Sequence, residues 1–470
     1  MERTKKILAL LFLMFSASVF AQNNTELNIE NYTYKLYNEQ KWDSLATVGS
    51  KAIKNGTNYY YLSYRVGYAY FMLEKYRKAI EFFESALSFN SEDSYSLGYL
   101  YLCYSYSGRK EEAMLLEKKL SVEQKAFFKI KTITNISFDY GSVLSNNYSA
   151  HGYDPLLTGK YDAFGLKDLT SNYNYSGFGL QHKLLKKVII NHSFSMLNIN
   201  KFREYNYFDI VADSVGLPPE NTFKYKTLHY KLNQMDYYFG ASIPFKNGII
   251  ISPAFHLIKC TYTNLLATNV FKSVNVVMPL PQTVSTFNFT EKDTLFYNFA
   301  YSLSLTKNFK AFSITPSLNY STLNGNQQKG GALSISLFPK SNLNLYSTTT
   351  LSVSMDTTAT RIFVNQLIGF KLTSKLWAEV HGAYGDMSNG MENNGYLVYN
   401  STDKTEFRGG LNLIYSFKHI ELSFRYQFIQ KQNTYNISSV NPQNYSSITN
   451  TTRNTTYNNN TLIGGIKWNF

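Results

Sequence analysis

Apolar and polar positions along this chain follow two different periods, and the change falls near residue 129. From there to the end the period is two. Ile130, Thr132, Thr134, Ile136, Phe138 and Tyr140 share one face of a first strand, because successive side chains of a strand point to opposite sides. The stretch 407–429 shows the pattern most fully. Phe407, Gly409, Leu411, Leu413, Tyr415 and Phe417 fall on one side, with Ile420, Leu422, Phe424, Tyr426 and Phe428 on a partner strand. Glu406, Arg408, Asn412, Glu421, Ser423, Arg425 and Gln427 fall on the other. The last strand, with Leu462, Gly464, Ile466, Trp468 and Phe470, keeps an apolar face to the final residue. In water such a strand would be an aggregation-prone edge. Facing lipid and closing a cylinder, it has no edge at all. An Arg at the lipid midplane would cost ~2–4 kcal/mol, so the charged face must point inward.

Short polar turns alternate with longer connections. The turns are Leu185-Lys186-Lys187, Phe245-Lys246-Asn247, Lys307-Asn308-Phe309-Lys310, Pro339-Lys340-Ser341, Thr373-Ser374-Lys375 and Lys418-His419. The longer connections fall near 142–171, 203–225, 264–292, 389–404 and 434–456, with shorter ones near 323–329 and 356–360. One strand before the first long connection, six hairpins about the six turns and the final strand predict an antiparallel barrel of about 14 strands over 129–470. Its two ends then lie on the short-turn side. The connection 264–292 is apolar, with Val270, Phe271, Val274, Val276, Val277, Met278, Leu280 and Pro281. It is expected either to fold inward as a constriction or to stand above the membrane as a hairpin.

Residues 26–128 carry helical spacing and a second, longer repeat. Trp42 and Tyr76 are 34 apart, as are Ala52 and Ala86, Gly67 and Tyr101, Tyr70 and Tyr104, and Ala79 and Ala113. A period of this length marks a helix-turn-helix solenoid. The clearest copy, 60–93, has Gly67, Tyr70, Tyr76, Ala79, Phe83 and Ala86, and it resembles a tetratricopeptide repeat (TPR). The copy 94–127 keeps Tyr104, Gly108 and Ala113 but has Glu117 where an aromatic is usual, and 26–59 matches weakly. The resemblance implies a concave groove for a periplasmic protein or peptide. It would be lined by Tyr61, Tyr64, Tyr68, Met72, Tyr95, Leu102 and Tyr106, which alternatively pack against a neighbouring helix or the barrel rim.

Composition fits this division. The chain has 40 Tyr and 34 Phe but only 3 Trp, as suits the aromatic girdles of a membrane barrel. Its net charge of +14 is scattered rather than clustered, which argues against nucleic acid as a partner. Residues 1–21 read as a secretory signal, with Arg3, Lys5 and Lys6 before an apolar run and a small-residue site ending at Ala21. A TPR-like helical domain over 22–128 would therefore lie in the periplasm. Cys103 and Cys260, on unlike elements, are not expected to pair.

The inward face carries the candidate chemistry. Lys371, Glu379, His381, Glu406, Arg408, Glu421 and Arg425 lie on neighbouring strands and could form one lumenal charge patch. No nucleophile faces them in sequence, and no metal-ligand spacing, nucleotide loop or haem motif occurs. A structural or selectivity role is expected, with no enzyme activity and no cofactor. The final strand resembles the C-terminal signature of bacterial outer-membrane barrels, which implies the barrel-assembly machinery as a partner reading Leu462, Gly464, Ile466, Trp468 and Phe470. Repeats followed by a barrel are similar in order to exopolysaccharide export porins. These resemblances imply an outer-membrane conduit for a polar solute or polymer, with the repeats docking periplasmic partners. A non-transporting outer-membrane anchor for surface assembly is the alternative, and a barrel-embedded hydrolase a minor one.

Overall fold

A computed structural model describes residues 27–150, 163–211, 220–274, 282–441 and 444–470. The expected signal segment 1–21 lies outside them. Seven helices precede a closed barrel: α1 over 27–38, α2 Trp42–Lys54, α3 Tyr60–Met72, α4 Tyr76–Phe89, α5 Ser94–Tyr106, α6 Lys110–Leu116 and α7 Val122–Phe127. None is long and apolar enough to cross a membrane.

The first six helices form three hairpins whose spacing is that of the sequence repeat. Helices α2, α4 and α6 begin at Trp42, Tyr76 and Lys110, each 34 residues after the one before. The turn preceding each is built alike. Gln40, Glu74 and Gly108 take φ of 55°, 55° and 77°, and the next amides, of Lys41, Lys75 and Arg109, donate to the carbonyls of Leu36, Tyr70 and Tyr104 at 2.9 Å. A left-handed residue followed by a backward amide bond satisfies carbonyls that the helix end would otherwise leave open. Between α3 and α4, Phe83 is fully buried against Gly67, where a Cβ would lie 3.1 Å from its ring. In the third hairpin the aromatic slot holds Glu117. It is buried and ion-paired with Lys183 of the barrel. A domain contact therefore replaces a core aromatic there.

The barrel consists of β1 Ile133–Ser145, β2 Ala163–Leu184, β3 Val188–Val211, β4 Glu220–Phe245, β5 Ile249–Val274, β6 Gln282–Asn308, β7 Phe312–Ser321, β8 Gln328–Leu337, β9 Leu345–Met355, β10 Thr360–Lys371, β11 Leu376–Gly385, β14 Lys404–Phe417, β15 Ile420–Asn441 and β16 Asn444–Asn469. Two short strands, β12 Met391–Glu392 and β13 Leu397–Val398, pair only with each other. The fourteen wall strands are antiparallel, and β16 closes the ring on β1 with Trp468 opposite Ile136 and Ile466 opposite Phe138. Phe470 continues the seam, its amide donating to Thr134 O at 3.1 Å. Around the outside, apolar side chains such as Phe138, Leu303, Ile335, Ile362, Val380, Phe424 and Ile466 are 40–53% exposed. Exposed apolar side chains in every sector of a closed ring form a lipid-facing belt.

Some boundaries differ from the sequence reading, and for 264–292 the second of its two expected arrangements is found. The first strand starts at Ile133, because Lys129 turns left-handed (φ 51°) and the Ile130 amide closes back onto Lys125 O. The stretch 264–292 stands as a hairpin, β5 and β6 pairing as far as Val274 opposite Gln282; its tip, 275–281, lies outside the described residues. Much of 203–225 and 434–456 is also paired strand. Above the bilayer both faces of a strand meet water, so no apolar alternation marks these extensions. Backbone pairing and β-favouring Thr and Tyr form them all the same.

Candidate functional site: a strapped lumen beneath a helical cap

The connection from β11 to β14, residues 386–403, does not leave the barrel. It crosses the lumen as a strap built around β12 and β13. On one wall, His256 Nδ1 donates to Gly395 O at 2.9 Å, Ser302 Oγ to Asn394 Oδ1 at 2.7 Å and Asn298 Nδ2 to Asn400 Oδ1 at 3.0 Å. Met391 packs there against Ile258, Cys260, Ala300 and Leu323. Toward the other wall, Met387 and Tyr399 pack on Phe363 and Ala383. Glu392 is buried and accepts from Arg408 Nη2 at 2.6 Å, and it is also bonded to Asn365 and Tyr399. Three donors saturate one buried carboxylate, so its charge is compensated and the strap is pinned to both sides.

Strap and wall enclose a chamber of about 760 Å³. Its lining includes Tyr173, Tyr230 and Tyr262, the charged Asp168, Arg203, Arg408 and Arg425, and an apolar patch of Leu197, Ile199 and Leu232. Ser195 Oγ donates directly to Asp236 at 3.1 Å. Among the described residues no group of three His, Cys, Asp or Glu side chains could hold a metal ion. Cys103 and Cys260 are both free and buried.

The seven charged residues singled out in sequence fall into separate groups. Glu379 accepts from Tyr346 OH at 2.5 Å and from Asn412 Nδ2 at 2.8 Å. His381 lies across Gly410, where a Cβ would come 2.6 Å from the imidazole. Arg408 serves Glu392. Arg425 donates to Asp139 at 3.0 Å, and Glu421 accepts from Lys467 and Asn469, both at 2.8 Å. The Lys371 ammonium stands 5.2 Å over the Trp377 ring. Glu406 is not in the lumenal group; it pairs with Lys404 at 2.7 Å. An irregularity between Thr405 and Phe407 resets the alternation, so Thr405 and Arg408, three apart, both line the chamber. Sequence reasoning missed Glu392, because loop residues carry no periodic signal. It also missed Asp139 and Lys467, whose seam partners are distant in sequence.

The helical domain covers the short-turn mouth of the barrel. Arg77, on α4, is 2% exposed, and its backbone amide donates to Ser341 O at 2.9 Å. Its guanidinium donates to Phe309 O at 3.0 Å and Ser313 Oγ at 3.1 Å and stacks 3.9 Å over the Phe338 ring. Burial, with Arg109 nearby, pushes its pKa down to about 10. Arg109 pairs with Glu112 at 2.5 Å, and Asn308 Nδ2 donates to Glu112 at 2.8 Å. Asn342 and Asn344 bond to Glu74 O and its carboxylate, each at 2.9 Å. Lys310 pairs with Glu81 and Lys183 with Glu117. These contacts reach turns on several sides of the ring.

The candidate groove is divided. Tyr61, Tyr95, Met72 and Tyr106 are 59, 71, 44 and 49% exposed. Tyr64, Tyr68 and Leu102 are half-buried, the two tyrosines stacking on each other and meeting Tyr99 edge-on. Tyr106 packs on Tyr76 at 5.2 Å. Leu27, Tyr61 and Tyr95 occupy one repeat position on successive hairpins and are all exposed.

No protein-family model matches the chain, and no curated protein matches it. Solved structures that resemble it are barrels. A Pseudomonas aeruginosa FadL homologue shares 10% identity over 72% of this chain and 90% of its own, with a TM-score of 0.41. The TodX monoaromatic hydrocarbon channel deltaS2 mutant shares 7% over 77% and 95%, at 0.39. A bacterial polysaccharide outer membrane secretin shares 8% over 73% and 100%, at 0.32. Nothing about cargo follows from these likenesses.

Proposed function

We propose that this chain is an outer-membrane conduit for a polar solute, held closed in this conformation by its periplasmic helical domain and by the strap. The observation that carries the reading is the chamber of about 760 Å³ inside a closed barrel, walled by charged, hydroxyl and apolar side chains. A cylinder serving only as an anchor has no need of such a space. In this reading the three hairpins are tetratricopeptide repeats. Their exposed Tyr61, Tyr95 and Met72 dock a periplasmic protein or peptide, Tyr giving contact area at little rotamer cost. Docking there would compete with or reposition the cap. Planar-bilayer recording of the purified full chain tests the conduit. Discrete channels are expected, at low probability for the intact protein and higher once the strap is cut. Silence in both overturns it. The strap and cap together favour the anchor as the second reading, which predicts that silence.

A further inference from the structure

We infer that the chamber binds a small organic anion with an apolar body, held by Lys201 and Lys431. The inference rests on reading the lumen as a passage and names what that passage takes. Both lysines line the chamber: Lys201 on β3 is paired opposite Thr170 of β2, and two residues beyond Lys431 on β15 Asn433 Nδ2 donates to Asp168 O of β2 at 2.9 Å. Two carboxylates are near: Asp168 is ion-paired with Arg203, whereas Asp403 is bonded by uncharged donors and keeps its charge. Asp168 is bonded by Arg203 and by Tyr230 OH at 2.7 Å. Asp403 accepts from Asn433 Nδ2 at 2.9 Å and Tyr457 OH at 2.5 Å. Among the described residues neither lysine has an acidic partner within ion-pair distance, and the nearest fixed contact of Lys431 is Ser401 Oγ of the strap at 3.1 Å. Three cations, Lys201, Lys431 and Arg203, stand against two carboxylates, Asp168 and Asp403, so this wall of the partly enclosed chamber carries one net positive charge that an anion would offset.

The body of the ligand is set by what adjoins the lysines. Along β3 the inward positions run Leu197, Ile199, Lys201, and Ile199 is paired directly with Leu232 of β4. An apolar patch therefore begins one inward step from the Lys201 side chain, about 7 Å along the strand. The chamber has the size of drug-like sites. An inorganic anion would use the lysines and leave the patch wet. A hydrocarbon would use the patch and leave the ammoniums unused. A carboxylate on an aromatic or short aliphatic body uses both.

The test is calorimetric titration of the full chain in detergent with phenylacetate, 2-phenylethanol and acetate. Phenylacetate is expected to bind, with the other two at least tenfold weaker. Lys201→Met/Lys431→Met should weaken phenylacetate at least tenfold, while Lys201→Arg/Lys431→Arg retains it. Heat-modifiable gel migration shows that each variant is still a folded barrel. Equal binding of 2-phenylethanol, equal binding of acetate, indifference to the double Met variant, or no binding at all would each overturn the assignment. Binding is read without current, so a protein that binds phenylacetate but forms no channel overturns the conduit and spares the site.

Discussion

Arg77 is a buried contact between the helical domain and the short-turn mouth of the barrel, and Arg77→Met isolates it. Methionine keeps much of the side-chain volume and removes the guanidinium. Lost are two well-made charge-assisted bonds, to Phe309 O and Ser313 Oγ, worth roughly 1.5–3 kcal/mol each. The stack on Phe338 goes too, worth about 1–2 kcal/mol when desolvated. Against this stands the cost of burying the cation, several kcal/mol, which the depressed pKa of Arg77 records. The net loss is about 2–3 kcal/mol, or roughly 30- to 150-fold in the docking equilibrium. The amide at position 77 reports it directly, since its acceptor is Ser341 O across the interface. Its hydrogen exchange in the detergent-solubilised full chain should quicken by that factor, and channel open probability should rise. Breaking the exposed Lys310–Glu81 pair should shift docking by less than about 1 kcal/mol. If Arg77→Met and the pair-breaking variant behave alike, the latch is misassigned.

Other outcomes follow from the same geometry. Deleting Phe470 should reduce barrel assembly in cells, read as the heat-modifiable fraction, while the segment 22–128 expressed alone keeps its helical circular dichroism; equal assembly removes the recognition role. Under the proposed docking role, Tyr61→Ala/Tyr95→Ala should weaken capture of a partner without altering the helical melt, because both rings are exposed. Asp356, in the β9–β10 turn, is held well below the ordinary carboxylate range by the Thr358 hydroxyl and amide and by Arg361. A depressed carboxylate contributes stability that is fully present above its unfolded value near ~4 and is lost as pH falls through the folded value. Amide protection of that turn should therefore persist at pH 4 and fail only below it, whereas Asp356→Asn should lose protection at neutral pH.

The barrel was legible because lipid imposes a strict rule on its outer face. Phe407 to Phe417 and Leu462 to Phe470 alternate for the whole bilayer thickness, and a count of turns then yields the fourteen strands. Where the rule lapses, legibility lapses with it. The upper parts of β3 to β6 meet water on both faces and read as loops. One irregularity at Thr405–Phe407 was enough to misplace Glu406. The strap was read as an ordinary connection, since its order comes from partners such as His256 and Arg408 that lie far away in sequence. Glu117 did carry a signal. A charged residue in an aromatic slot of a repeat marks a face that meets something other than another repeat, and here it meets Lys183.

The strap can be tested separately from the cap, because its anchors are unequal. Glu392 holds three donors and shares burial with Arg408, while His256, Ser302 and Asn298 each contribute a single neutral bond. Removing a neutral bond costs about 1 kcal/mol. Glu392→Ala leaves the Arg408 cation buried without its counter-charge, at roughly 3–5 kcal/mol. The strap should therefore detach from the β10–β14 wall before it leaves the β5–β6 wall, swinging about Gly395 and Asn394. Hydrogen exchange in Glu392→Ala should quicken at Tyr399, whose amide bonds Gly390 O, with the helical domain still protected. Adding Arg408→Met should restore part of the lost order, because the uncompensated cation is then gone. If Glu392→Ala loosens the helical domain as much as the strap, the two closures form one cooperative unit, and a single partner on the helical side would be enough to open both.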